Sequence, residues 1–389
     1  MSRIDDTYIK DLLERLVNRP SPTGYTDEIT RMCCDELSEL GISYDITRRG
    51  AIRAKIEGEN SQPARSIIGH IDTIGAQIKR LKENGRMSVA PIGTWSPRFA
   101  EGARCTIFTI DEGAFRGTIL PLKASGHTFG DEVDTQEASW QNLEVRVDIR
   151  VEDKADLEAA GFNTGDFVAI DPQPEFLDSG YLVTRHLDDK GGVAAMFAAM
   201  KSLKESGARL PVDVYFLFSI TEEVGHGATG VLTQDIASMI AIDNGTVAPG
   251  QESREFGVTI AMGDRVSPFD YHLTQKLIRL CKENDIEFQR DLFRYYRSDS
   301  ASAIESGEDV RTALVTFGID SSHGWERTHI HSLHSVARLI CAYSTSEVEI
   351  PRDKEDLGDI EGFTEQPMER HKDEKWEGKD ESPDRPKKE

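Results

Sequence analysis

The chain has 389 residues, 38% of them hydrophobic and 30% charged, enough for a sizeable core. No run approaches the ~20 apolar residues that a membrane-spanning helix needs, and 69 acidic against 46 basic side chains leave a formal net charge of −23 that repels nucleic-acid phosphates. The five cysteines, Cys33, Cys34, Cys105, Cys281 and Cys341, are odd in number and form no CxxC pair, so neither a disulfide framework nor a thiolate zinc site is expected.

The first residues, MSRIDDTYIKDLLERLVNRP, are charged and amphipathic and lack the apolar stretch of a signal peptide. With the reduced cysteines this predicts a cytoplasmic protein with no membrane or nucleic-acid partner. Ile9, Leu12, Leu13 and Leu16 recur at helical spacing, and residues 5–17 and 26–40 read as helices. Ser66–Asp72 is a short apolar strand. From 76 to 172 apolar and polar residues alternate between glycine-containing turns, as in NLEVRVDIRV, which predicts a small inserted all-β barrel or sandwich. An α/β pattern then resumes: a helix over 191–204, a nearly continuous apolar strand Val212–Ile220, a strand Ser238–Ile242, a helix over 271–284, a strand Arg311–Phe317 and a helix over 334–347. Such alternation predicts an α/β fold with a mostly parallel sheet flanked by helices. The catalytic domain is therefore expected over 1–75 and 173–348, with the insertion at 76–172. Residues 349–389, rich in Asp, Glu, Lys and Pro, read as a disordered acidic tail.

Acidic and imidazole groups gather at the predicted strand ends. His70 and Asp72 close the first strand and, two apart, are expected on one side of it. Asp188 and Asp189 precede a helix, Glu222 and Glu223 follow the most apolar strand, Asp243 follows the next, and a histidine-rich stretch, residues 328–334, precedes the last helix. A lone histidine there is usually just packed, and a lone Glu-Glu pair usually solvated. Five such groups at one end of successive strands is a different matter, because ligands of open α/β sheets bind there and clustered carboxylates repel one another unless a cation relieves them. Imidazole and carboxylate donors without sulfur suit zinc, cobalt or manganese.

The segments HIDTIGAQI, RHLDDKGG, FSITEEVGHGA, AIDNG, SDSASAI and HIHS stand in the order found in metallopeptidase family forty-two, the glutamyl, deblocking or tetrahedral aminopeptidases, which the chain resembles over roughly 8–345. The resemblance implies two divalent ions, zinc foremost, and hydrolysis of N-terminal peptide bonds of short peptides by a water shared between the ions. Asp188 matches the carboxylate that bridges them. His70 and Asp243 match the other ligands of one ion, and Glu223 and His331 those of the second. Glu222 matches the general base, and Asp72 the carboxylate that holds the first histidine. Asp189 matches the position of an unusual cis peptide. Homo-oligomers, dimers building toward a dodecamer, are also implied.

The family's last ligand stands in an Arg-Tyr-x-His-Ser context, whereas this chain has Arg327-Thr328-His329-Ile330-His331-Ser332. Anchoring on His-Ser selects His331 and leaves His323, His329 and His334 as polar loop histidines; anchoring on the arginine selects Ile330, which cannot ligate. His127 falls near a family histidine of the inserted domain. A subgroup linked to the osmolyte N-acetylglutaminylglutamine amide shares the HIHS-type ending. A deacylase or carboxypeptidase with the same metal core is the main alternative, and a non-catalytic scaffold the other; the all-β character of the insertion and the intact Glu222 favour the aminopeptidase.

Overall fold

A computed structural model describes residues 3–354 and 358–368. Its strands are β1 (Ser43–Ile46), β2 (Ile52–Ile56), β3 (Asn60–His70), β4 (Gly75–Leu81), β5 (Met87–Ile92), β6 (Arg104–Thr109), β7 (Gly113–Pro121), β8 (Leu143–Val147), β9 (Phe167–Ile170), β10 (Glu175–Phe176), β11 (Tyr181–Thr184), β12 (Val212–Ser219), β13 (Ile236–Val247), β14 (Val258–Ala261), β15 (Phe288–Asp291), β16 (Arg311–Asp320) and β17 (Glu326–His329). Eleven of them form one sheet, with β12, β3, β13 and β16 side by side at its centre and mutually parallel. β12 is buried on both faces, as a covered parallel strand must be. Antiparallel pairs flank the four: β1 pairs β2, β2 pairs β12, and β10, β11 and β17 pair in turn. Off this path β14 pairs antiparallel with β16 and parallel with β15, so the sheet is mixed.

The helix Asp6–Val17 turns Ile9, Leu12, Leu13 and Leu16 inward and is capped by Asp5, whose carboxylate accepts from Thr7 N and Tyr8 N. It packs with the helices Leu187–Ser206 and Ile330–Thr345. Leu187–Ser206 is alanine-rich and buried along most of its length, which lets it lie close to the sheet, and it stops at Gly207, whose φ of 59° is a left-handed cap. Phe197 on this helix stacks on Phe218 of β12 with ring centroids 5.0 Å apart.

Between β3 and β10 the chain builds a closed barrel in the order β4-β5-β8-β7-β6-β9. Alternate residues point inward, and Ile78, Val89, Ile107, Ile119, Val145 and Val168 form its separate core. The barrel leaves directly from the end of β3 and so stands over the C-terminal ends of the parallel strands.

Several boundaries differ from the sequence reading. β3 starts at Asn60, six residues before the predicted strand, and stops at His70, so His70 and Asp72 are not successive same-side strand residues. β13 runs through Asp243 to Val247, paired along its length with β16. The last helix starts at Ile330 because the His329 side chain accepts from His331 N and caps it. The beginning of the predicted tail is anchored: Asp353 accepts from Arg311 Nε at 2.7 Å, and the carbonyl of Glu347, just before it, accepts from Lys276 Nζ at 2.6 Å. The rest of that expectation, residues 355–357 and 369–389, lies outside the described residues. All five cysteines are buried and free, and no helix among the described residues is long and apolar enough to cross a membrane.

Candidate metal centre

The ends of β3, β12, β13 and β16 and the start of the Leu187–Ser206 helix converge beneath the barrel. His70 closes β3. Its Nε2 is 3.1 Å from Asp188 Oδ1, and its Nδ1 faces the carbonyl of Asp72 at 2.9 Å. Asp188 and Asp189, joined by a cis peptide, have non-helical backbone at the head of their helix, which turns the Asp188 carboxylate toward the sheet ends. Asp243 extends from β13, and the neighbouring Asn244 donates from Nδ2 to Asp188 Oδ2 at 2.7 Å.

Glu222 and Glu223 are adjacent, yet both face the centre. The chain leaves β12 before them, and Gly225, at φ 83°, completes the turn. Asp72 holds this turn. Its carboxylate accepts from Glu222 N at 3.2 Å, Glu223 N at 3.4 Å and the Thr23 hydroxyl at 2.6 Å. The Asp72 carboxylate is farther from the His70 ring, 3.6 Å from Nδ1, than the Asp72 carbonyl is. Asp72 therefore orients His70 through its backbone and the glutamates through its side chain.

One expected residue is elsewhere. His331 lies in the first turn of the last helix, where its Nδ1 accepts from Gly257 N at 3.2 Å and its ring approaches Phe256. His323 takes the position expected of it, with Nε2 3.1 Å from Asp188 Oδ2 and 3.4 Å from Glu223 Oε2. Two groups able to hold a cation result, His70–Asp188–Asp243 and Asp188–Glu223–His323, and Asp188 belongs to both. His329 and His334 stay outside, bonded to the Ser179 carbonyl and to Asp6, and His127 is exposed on the barrel.

The sequence reading also missed Glu326. Buried at the start of β17, it accepts from His323 N at 2.8 Å and from Asp188 N at 3.2 Å. A signal did exist: His323-Gly324 follows the end of a long apolar strand, and a glutamate comes three residues later. Asp299 was missed as well; it accepts from Ser219 Oγ at 2.8 Å, behind Glu222.

The buried carboxylates and imidazoles of the cluster act strongly on one another. Burial pushes Glu223 up to about 8 against the pull of His323, and burial together with the Asp188 charge pushes Asp243 up to about 8. Burial also raises Glu222 well above the usual carboxylate range, with Asp243, Asp299 and Glu223 adding to it. Burial acts to raise Asp188 too, yet hydrogen bonds from His323 and His70 hold it below that range. Burial works against charge on His323, but the Glu223 and Asp188 carboxylates overcome it and raise the ring to about 10. Asp189 Oδ1 and Asn244 Oδ1 are buried without a hydrogen-bond partner. The donor set is oxygen and imidazole nitrogen, two carboxylates and a histidine in each group, which fits divalent zinc, cobalt or manganese.

The sequence pattern of the M42 glutamyl aminopeptidase family matches residues 50–339. YhfE of Bacillus subtilis (strain 168), which bears a provisional aminopeptidase name, is 34% identical over 336 residues, 86% of this chain and 97% of its own. Among solved structures, the TET aminopeptidase from the marine sediment archaeon Thaumarchaeota archaeon SCGC AB-539-E09 has a TM-score of 0.79 at 17% identity and covers 87% of this chain and 96% of that one. The Pyrococcus horikoshii TET1 peptidase, which can assemble into a tetrahedron or a large octahedral shell, has a TM-score of 0.75 at 22% identity, with 86% and 99% covered. These two likenesses establish the fold, and the sequence match over most of the chain establishes descent: the chain belongs to the M42 glutamyl aminopeptidase family, a family of metal-dependent peptide hydrolases.

Proposed function

We propose that this protein is an aminopeptidase that acts on short peptides with two divalent ions, zinc foremost. Asp188 would hold both ions, His70 and Asp243 completing one position and Glu223 and His323 the other. The observation that carries this reading is the sharing of Asp188 between two donor groups, each with a second carboxylate and an imidazole. When bound, such ions polarise a carbonyl and lower the pKa of a water they share.

The chain's own residues supply the proton chemistry. Glu222 Oε2 lies 3.8 Å from His70 Nε2, and its backbone N–H is held by the Asp72 carboxylate. It takes the proton from the attacking water and delivers it to the leaving amine. Glu326 and Asp72 hold the backbone of the residues around them, so the site is preorganised before substrate arrives. The TET1 peptidase structures, one a dodecamer and one able to form a tetrahedron or a large octahedral shell, support a homo-oligomer here too.

Asp188→Ala tests the assignment. The variant is expected to hold neither ion when metal content is measured after dialysis, because both donor groups lose their common member. Two ions per chain in that variant would contradict the bridging role.

A further inference from the structure

The two imidazoles of the centre are oriented alike by partners of different origin. His70 Nδ1 faces the carbonyl of Asp72, only two residues away. His323 Nδ1 lies 2.9 Å from the carbonyl of Thr94, 229 residues away on the turn between β5 and β6 of the barrel. A carbonyl only accepts, so Nδ1 carries a hydrogen in each ring, and Nε2 is the nitrogen turned toward Asp188.

The same barrel turn meets the centre a second time. At Gly93, φ 80°, an added Cβ would come 3.5 Å from Glu223 Oε2 and 2.9 Å from Ile74 Cγ2. Ile74 N in turn donates to Glu223 Oε1 at 3.1 Å. Trp95 fastens the turn to the barrel: its Nε1 donates to the Gly75 carbonyl at 3.1 Å, and its ring meets Trp140 edge-on at 4.8 Å. His323 itself sits at φ 63°, a left-handed conformation costly for a residue with a Cβ. Its pose is imposed by Thr94 on one side and Glu326 on the other. His70 is fully buried within the sheet end, whereas His323 keeps 28% of its side chain exposed.

We propose that the barrel's Gly93–Trp95 turn is a positioning element for His323 and Glu223, so that the seating of the barrel on the sheet sets the affinity for one of the two ions and leaves the His70–Asp243 position unaffected. The inference rests on the two-ion reading above.

Zinc titration calorimetry on the chelator-stripped full chain tests it, using Gly93→Ala and Trp95→Phe. Trp95→Phe removes the bond to Gly75 but keeps an aromatic ring in the barrel core, so it carries the test if Gly93→Ala fails to fold. Wild type is expected to bind two ions. In the variants one ion should bind as in wild type and the other about 10–100-fold more weakly, the range for loss of a group that orients a ligand. Two unchanged steps, or equal weakening of both, would overturn the proposal; equal weakening would mark a general loss of structure. Fewer than two ions in wild type would remove the two-ion reading itself.

Discussion

Glu222 and Glu223 are neighbours with different tasks, and the difference can be measured. Glu222→Gln preserves size and leaves both donor groups around Asp188 in place, so it should keep its metal and lose about 10²–10⁴-fold in kcat. Near-normal turnover with full metal content would exclude Glu222 as the base. The two histidines His323 and His331 separate in the same way. His323→Ala should cost one ion and most of the activity, whereas His331→Ala should keep both ions, since its ring lies against Gly257 and Phe256 and outside both donor groups. Loss of an ion from the His331 variant alone would reverse that assignment. At this scale the sequence grouped His70, Asp188, Glu222, Glu223 and Asp243 by their places at or near the ends of the apolar strands, and the fold brings His70, Asp188 and Asp243 within reach of one another. His323 was not singled out, because a His-Ser pair eight residues later offered a better match to the family pattern; His323 meets Asp188 and Glu223 from a distant part of the chain, which leaves no local signal.

The elements that hold these residues act as clamps. The loop from Ile220 to Ala228 carries both glutamates, and the short helix Asp299–Glu305 grips its two ends. Ser219 Oγ donates to Asp299 Oδ2 at 2.8 Å, and Ala228 N donates to Ser302 Oγ at 2.9 Å. Gly227 lies against this clamp, and a Cβ there would come within 1.8 Å of Asp299 Oδ1. Gly227→Ala should therefore displace the loop and lower kcat by about 10²-fold, the scale expected for a shift near 1 Å in a catalytic group. The measurement is steady-state kinetics beside thermal unfolding. Unchanged kcat in a folded variant would show that the helix does not position Glu222. The parallel strands were legible as continuous apolar runs, and the barrel as alternation. The antiparallel edges were not, because β10, β11 and β17 are only two to four residues long and their pairing is set by the sheet they extend, not by their own pattern.

At the scale of the molecule, an insertion between β3 and β10 places a barrel over the ends of the parallel strands, and the chemistry lies beneath it. The order of the segments, donors interrupted by an all-β stretch, already separated this arrangement from enzymes with a later α/β insertion. The contact between the barrel and His323 could not be read that way, since Thr94 contributes a backbone carbonyl that has no side-chain signature. The net charge of −23 is spread over the whole sequence and agrees with a preference for cations over phosphate backbones. The central claim is that metal enables this protein to remove residues from a free N-terminus. It is tested most directly by titrating zinc into chelator-stripped protein while following hydrolysis of an aminoacyl p-nitroanilide and of its N-acetylated form. Cleavage of the free-amine substrate should rise to a plateau at about two equivalents of zinc, with the acetylated form untouched. Turnover without metal, or equal cleavage of the acetylated form, would contradict the account.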